Sequence, residues 1–257
     1  HGIEVDFVGG TSIGAVMGAL VAADQPMDRA RAIARSAFSI NPTGDFNWLP
    51  LLSLISGRRM RRIATQAVTE LLGFEADIED LWKNYYCIAT NYSHAREQPL
   101  RSGPLIKAVL ASTAIPGALP PVIVDGDLLC DGGTFNNFPV DVMRNVRGVG
   151  TVIGVDLNSR KARRLEFDDV PGTWALLRDR MRPRAQRRYK LPSLPAYLMN
   201  VTILYSMSRQ SHAKLQTDLY FNPPMDRVGL LEWKRFDQIV QQGHAHAVEV
   251  LKAREAQ

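Results

Sequence analysis

The sequence has little cysteine and lacks a long uninterrupted apolar run. Its two cysteines, Cys87 and Cys130, lie in apolar stretches typical of strands, which excludes a disulfide scaffold and favours a reducing compartment. The most apolar stretch, residues 7–23, is interrupted by glycine, threonine and serine, whereas a membrane-spanning helix needs about 18 or more consecutive apolar residues. We therefore expect a cytoplasmic protein without a transmembrane helix.

The sequence also lacks an initiator methionine and a signal peptide, since it opens with His1 and Gly2. Because a predicted core strand begins directly afterwards, we expect the chain to be part of a longer protein. Its 46% hydrophobic and 22% charged residues are ordinary for a globular protein with one sizeable core. No repeat, low-complexity tract or flexible linker divides it, so residues 1–257 are predicted to form one domain.

Positive charge is concentrated in one segment. Residues 158–190 hold 11 Lys/Arg and 4 Asp/Glu, a surplus of +7, so that the rest of the chain sums to −2 within a net charge of +5. Basic residues interleaved with aromatic and aliphatic ones suit peripheral contact with an anionic membrane surface, and an ordinary solvated segment is the alternative. No zinc-finger, RNP or helix-turn-helix pattern accompanies them, so a nucleic-acid partner is not expected.

Hydrophobic periodicity predicts strands that alternate with helices, which indicates a layered α/β fold. Strands are predicted at 3–8, 85–90, 122–125, 128–131, 149–157 and 218–221. Helices are predicted at 13–23, 27–38, 58–72, 104–112, 140–146, 198–217 and 236–253, the last two forming a C-terminal helical extension over 198–257. A proline-containing loop is predicted at 41–57.

The segment Gly10-Thr11-Ser12-Ile13-Gly14 matches Gly-x-Ser-x-Gly, the pattern of a nucleophile elbow. In this arrangement a serine hydroxyl projects from a sharp turn between a strand and a helix, and the flanking glycines allow the turn. A predicted strand precedes the motif and a predicted helix follows it. The Ile13 N–H and the positive end of the helix dipole would then stabilise an oxyanion. We predict that Ser12 is a nucleophile and that Gly10 and Gly14 are both required.

A nucleophilic serine needs a base, which is usually histidine. None of the five histidines lies in a setting typical of a catalytic base. The acidic candidate is Asp131, which ends a predicted strand and is followed by Gly132 and Gly133 in a turn that would hold the carboxylate close to other backbone. A triad of Ser12, Asp131 and His212 is the alternative, since this chain order occurs in α/β-hydrolases.

A metal site is not predicted. The acidic residues that lead to Asp131 superficially resemble a calcium loop, but the fifth position of that loop is Leu129 and the twelfth is Asn136, which is wrong for an EF-hand. His244 and His246 are two residues apart in a predicted helix, where they face different directions and cannot share an ion easily.

Three separated motifs together resemble the patatin-like phospholipase family: the elbow at 10–14, the proline-containing segment 111–122, and the acidic turn at 131–133. The tail at 218–229 and 233–240 is similar to the neuropathy-target-esterase branch of that family. The resemblance implies a three-layer α/β fold with a central mixed sheet. It also implies hydrolysis of phospholipid or lysophospholipid carboxyl esters without a cofactor.

The same resemblance implies a Ser-Asp dyad, in which Ser12 attacks the ester, Asp131 acts as base, and an acyl-serine forms. A free aspartate has a pKa of about 3.9, which is a poor match to a serine hydroxyl. We therefore predict that Asp131 is buried and that its pKa is raised.

Members of the family also carry a glycine-rich oxyanion loop, Gly-Gly-Gly-x-Arg-Gly, ahead of the elbow strand, and this sequence contains none. We expect that loop and the first strand of the sheet to precede residue 1. Losing one oxyanion donor costs about 2.7 to 4 kcal/mol of transition-state stabilisation, so residues 1–257 alone are expected to be nearly inactive. The non-enzymatic alternative is an inactive lipid-binding or scaffolding domain of the same fold.

Overall fold

A five-stranded mixed sheet lies at the centre of the fold in a computed structural model of the chain, which describes residues 2–158, 165, 167–183, 186–189, 191–225 and 235–255. The strands are β1 (Phe7–Thr11), β2 (Asn84–Asn91), β3 (Arg96–Leu100), β4 (Val122–Val124), β5 (Asp127–Asp131), β6 (Ile153–Val155) and β7 (Leu219–Phe221). The helices are α1 (Ile13–Ala22), α2 (Met27–Ser39), α3 (Arg58–Leu72), α4 (Leu105–Ser112), α5 (Val140–Arg144), α6 (Thr173–Arg180), α7 (Leu194–Thr202), α8 (Leu204–Leu215) and α9 (Phe236–Glu255).

Strand β2 organises the sheet. It pairs with β3 in the antiparallel sense along residues 87–91, which occupies one edge. On its other edge, β1 pairs in parallel with residues 84–88, and β5 pairs antiparallel with residues 89–91. Strands β1 and β5 therefore lie end to end along the same edge of β2, with their last residues facing each other. Strand β4 pairs with β5, and β6 pairs in parallel with β7 in a separate two-stranded sheet.

Helices cover both faces of this sheet. Successive side chains of a strand point to opposite faces, and the odd-numbered residues of 85–89 pack into one core with α1, α3 and α4. The even-numbered residues, Tyr86 and Ile88, pack against Val142 of α5. The structure therefore confirms the predicted α/β class with a central mixed sheet and helical layers.

The first strand differs from its prediction at both ends. It begins at Phe7 rather than at residue 3, and it continues through the two glycines that were expected to break it. Gly9 is accommodated because it faces the ring of Tyr86, where an added Cβ would lie 2.2 Å from Cζ. Glycine in a strand often marks such a close approach rather than a break.

Three further differences have local causes. Strand β3 was not predicted, because it is charged and contains Pro99, which the edge of a sheet tolerates. The predicted helix 198–217 is two helices, α7 and α8, separated at Ile203, and α6 was not predicted. The predicted strand 149–157 is reduced to β6. The other predicted helices are confirmed within a few residues of their ends.

Two sequence predictions fall partly outside the described residues. Within the basic segment 158–190, residues 159–164, 166, 184–185 and 190 lie outside them, and within the tail, residues 226–234 do. In the described part of the chain, no helix is both long and apolar enough to cross a bilayer. Cys87 and Cys130 are not joined in a disulfide, as predicted.

Candidate active site

Ser12 lies in a strained turn between β1 and α1. Its backbone has φ 54° and ψ −120°, a combination that non-glycine residues rarely adopt and that recurs at functional sites. The turn brings the chain back onto itself so closely that a Cβ on Gly10 would lie 2.1 Å from the carbonyl oxygen of Gly14. Ser12 is half-buried at the start of α1, as the elbow motif predicts.

The expectation that both motif glycines are required is wrong for Gly14. Its φ is not positive, and beyond its neighbours in α1 no described atom lies within 4 Å of the position that its Cβ would take. Gly14 lies in the first turn of α1, where an L-residue is accommodated. Only Gly10 is needed for the close approach within the turn.

The sheet register brings Ser12 and Asp131 together. Thr11, the last residue of β1, pairs with Ile88 of β2, and Asp131, the last residue of β5, pairs with the next residue, Ala89. Ser12 follows Thr11 directly and therefore meets the end of β5. Its hydroxyl donates a hydrogen bond of 2.8 Å to Oδ2 of Asp131.

Asp131 is only 6% exposed, and two backbone groups fix its position in addition to the Ser12 hydroxyl. The Gly133 N–H donates to its Oδ1 at 2.7 Å, and its own N–H donates to the Ala114 carbonyl at 2.9 Å. Burial raises the pKa of Asp131 to about 6, against the lowering effect of the hydrogen bonds from Gly133 and Ser12. The predicted burial and raised pKa are both found. Gly132 allows this packing, because a Cβ there would lie 2.2 Å from the Ile88 carbonyl oxygen.

Ser112 is a site residue to which sequence reasoning assigned no role. It is fully buried at the end of α4, where its hydroxyl accepts the Ser12 N–H at 3.0 Å and donates to the Ile88 carbonyl at 2.6 Å. It therefore ties the elbow to β2 at the residue beside the dyad. The only signal in the sequence was a polar residue within the apolar start of segment 111–122.

Replacing Ser112 with alanine is expected to lower the free energy of unfolding by about 1–3 kcal/mol, because the half-buried Ser12 N–H and the carbonyl of the buried Ile88 lose this partner. Urea unfolding measures this change. Thr113→Val is the matched control, since the Thr113 hydroxyl donates only to carbonyls of the preceding turn of α4, those of Val109 and Leu110, and its loss should cost less than about 1 kcal/mol. Equal losses for the two variants would contradict the assigned contact.

The histidine alternative finds no support in the geometry. His212 is exposed on α8, and both oxygens of Asp131 are bonded to Ser12 and Gly133 rather than to an imidazole. His246 accepts the Asn222 N–H. Among the described residues, no group of three His, Cys, Asp or Glu side chains is placed to hold a metal ion.

Helix α1 begins directly after Ser12. Ile13 is the first residue of α1, and the N–H groups of a first helical turn have no partner within their own helix. The Ile13 N–H is therefore available beside the Ser12 hydroxyl, together with the positive end of the helix dipole. The Ser12 N–H, by contrast, is engaged with Ser112.

Comparison with known proteins gives one consistent family. The model of the patatin-like phospholipase family matches residues 1–144, which is more than half of the chain. Lysophospholipase NTE1 of Mycosarcoma maydis is 32% identical over 264 residues, covering 100% of this chain and 14% of that protein. The human patatin-like phospholipase domain-containing protein 6 is 33% identical over 263 residues, covering 97% of this chain and 18% of that protein. The chain thus spans less than a fifth of the length of these relatives.

Proposed function

The chain belongs to the patatin-like phospholipase family, and from this premise we propose that it hydrolyses lipid carboxyl esters with Ser12 as nucleophile and Asp131 as general base. The observation that carries the proposal is the 2.8 Å hydrogen bond from the Ser12 hydroxyl to a buried carboxylate. A nucleophile and a base within hydrogen-bond reach are the arrangement that acyl transfer requires. Residues 1–257 would form one catalytic domain at the cytoplasmic surface of a membrane.

The reaction would proceed in two balanced steps. In the first, Asp131 takes the proton of the Ser12 hydroxyl while Oγ bonds to the ester carbonyl carbon, and the Ile13 N–H favours the resulting oxyanion. The ester C–O bond then breaks, and the alcohol leaves with the proton from Asp131. In the second step, Asp131 takes a proton from water, whose oxygen bonds to the acyl carbon. The bond between the acyl carbon and Oγ then breaks, Asp131 returns the proton to Oγ, and the fatty acid leaves.

The substrate class follows from the relatives. Several of them are named lysophospholipases, and we assign this chain a lysophospholipid or phospholipid acyl ester on that ground. The chemistry needs no cofactor. Gly132 and Gly133 support the base, because the first allows close packing against β2 and the second donates its N–H to the carboxylate.

Labelling by a fluorophosphonate probe tests the proposal in the full-length protein. Mass spectrometry should find the label on Ser12, and Ser12→Ala should abolish both labelling and ester turnover. Because Asp131 must be ionised to act as base, the labelling rate should fall as the pH drops through about 6 and reach about a tenth of its plateau near pH 5.

Two outcomes separate the alternatives. His212→Ala should leave the labelling rate within about twofold, and a loss comparable to that of Ser12→Ala would establish the triad instead. A folded protein that neither reacts with the probe nor hydrolyses any ester would be the inactive lipid-binding or scaffolding domain.

A further inference from the structure

An apolar loop between α2 and α3 projects from the protein. We call residues 46–54 the tip. Its large apolar side chains are mostly exposed, Trp48 to 98% and Leu51 to 86%. The exposed apolar members are Phe46, Trp48, Leu49, Leu51, Leu52 and Leu54. Contiguous exposed apolar side chains of this size mark an interaction surface.

The tip is held in place by its own backbone. Phe46 and Ile55 form an antiparallel bridge, and the Asn47 N–H donates to the Leu54 carbonyl at 2.9 Å. The Asn47 side chain also donates to the Ser53 carbonyl at 2.8 Å. Because these bonds close the base of the tip, its apolar side chains are presented to solvent by a structured loop.

The tip and the candidate active site share a support. The Leu54 N–H donates to the Gly117 carbonyl, and the Ile55 N–H donates to the Ala118 carbonyl, both at 2.9 Å. These carbonyls belong to the segment that follows α4, in which the Ala114 carbonyl accepts the Asp131 N–H. A surface bound by the tip would therefore be held next to the residues that carry the dyad.

The charge beside the tip is mainly positive. One carboxylate, that of Asp45, directly precedes the tip, and it accepts the backbone N–H of Arg59 at 3.0 Å. Residues 46–62 contain no Asp or Glu but four arginines, which follow the tip at the start of α3. Arg58, Arg61 and Arg62 are exposed and line one shallow groove along that helix. Trp and Leu beside a basic cluster are typical of segments that insert between lipid acyl chains while arginines contact the headgroup phosphates.

We propose that the tip inserts into a lipid surface that contains anionic headgroups, with Arg58, Arg61 and Arg62 contacting their phosphates. The surface is distinct from the basic segment 158–190. The proposal that the tip binds a membrane rests on the observations above. The idea that the bound tip brings substrate to Ser12 rests on the proposed function. The experiments below measure binding without turnover, so that the two proposals fail separately.

Binding is measured with Ser12→Ala protein and vesicles of phosphatidylcholine with or without phosphatidylserine. W48S/L51S should lower the vesicle partition coefficient at least about tenfold, because each side chain loses its transfer into the acyl region. The matched control is Trp82→Ser, because Trp82 is also exposed, to 79%, and lies two residues before β2 and outside the tip. The control should bind as the parent does. Unchanged binding by W48S/L51S would overturn the proposal.

The depth to which Trp48 inserts into the bilayer is measured with W82F/W174F/W233F protein, in which Trp48 is the one tryptophan left in residues 1–257. Its fluorescence should shift to shorter wavelength on vesicles and be quenched by brominated acyl chains. Emission unchanged by bound vesicles would place Trp48 outside the bilayer and overturn the proposal. On vesicles with phosphatidylserine, R58Q/R62Q should lower partitioning by about fivefold for each charge, with no change on phosphatidylcholine alone.

Two further measurements test whether the tip binds a second copy of the chain instead of lipid, and whether its substitution damages the active site. If sedimentation shows that W48S/L51S converts a dimer to a monomer, the tip is a self-association surface and the proposal is overturned. In the active protein, W48S/L51S should lose turnover of vesicle-borne ester but keep turnover of a water-soluble short-chain ester. Equal loss on both substrates would show damage to the site, and intact vesicle binding without any turnover would refute the proposed function alone.

Discussion

Replacing Asp131 with asparagine is expected to lower kcat/KM for ester hydrolysis by about 10²–10⁴-fold, because the amide cannot accept the proton of Ser12. The asparagine can retain the geometry, since its oxygen can accept the Gly133 N–H and its nitrogen can donate to the Ser12 hydroxyl. Steady-state kinetics measure the loss. Asp125→Asn, in the exposed turn between β4 and β5, is the control and should leave kcat/KM unchanged.

The same substitution is expected to stabilise the protein at pH 8. The pKa of Asp131 is raised from 3.8 to about 6 in the folded state, so folding favours the neutral carboxyl. As the pH rises from about 4 to above 6, the folded protein must hold a buried charge, and stability falls by up to about 3 kcal/mol. The substituted asparagine carries no charge and escapes this loss. A reduced unfolding free energy of the variant at pH 8, relative to the parent, would contradict the prediction.

Chemical denaturation at two pH values makes this test specific. The gain from Asp131→Asn should be present at pH 8 and should nearly vanish at pH 4, where the parent carboxyl is protonated in the folded state. A pH-independent difference would instead indicate a packing effect. The base of the proposed dyad is thus expected to lower the stability of the fold in which it acts.

Substituting alanine for Gly10 is expected to cost at least about 3 kcal/mol of unfolding free energy and to abolish fluorophosphonate labelling. The new Cβ would lie 2.1 Å from the Gly14 carbonyl oxygen and 2.7 Å from the Ala15 nitrogen, both backbone atoms that cannot rotate away. The elbow would have to open, and Ser12 would lose its position beside Asp131.

Gly14→Ala is the matched control from the same motif. No described atom lies within 4 Å of the added Cβ, and alanine favours a helix over glycine by about 0.5–1 kcal/mol. We expect unchanged labelling and equal or slightly higher stability. Thermal unfolding and the labelling rate measure both variants. Similar damage from the two substitutions would show that the motif acts through a feature other than the contact at Gly10.

The dyad residues could be predicted from sequence because their signals are local. Ser12 lies in a five-residue pattern whose geometry is fixed by one turn, and Asp131 precedes two glycines at a strand end. The distance between the Ser12 hydroxyl and the Asp131 carboxylate could not be predicted, because it depends on two strands pairing with adjacent residues of β2. The role of Ser112 was hidden for the same reason, since its partners are backbone atoms of Ser12 and Ile88, which are distant in the sequence.

The exposure of the tip could not be predicted from the sequence. Its position in a loop between two helices was predicted, but six large apolar residues in such a loop could equally have packed into the core. Exposure is decided by which other residues fill the core, and no local pattern contains that information. Strand β3 was missed because its charged residues and Pro99 are typical of loops as well as of sheet edges.

Because β1 and β5 both pair with β2, the distance between Ser12 and Asp131 does not depend on the number of residues that connect these two strands. Both strands are registered to neighbouring residues, Ile88 and Ala89, so a reporter peptide spliced into the turn at Asp125 and Gly126 leaves the spacing intact. An added residue between Ile88 and Ala89 would change the spacing. It would shift β5 by one residue relative to β1, and the side chains of the shifted strand would point to the opposite face of the sheet. Permuted or tagged forms of the protein are therefore best built at the hairpin of β4 and β5, with β2 kept whole.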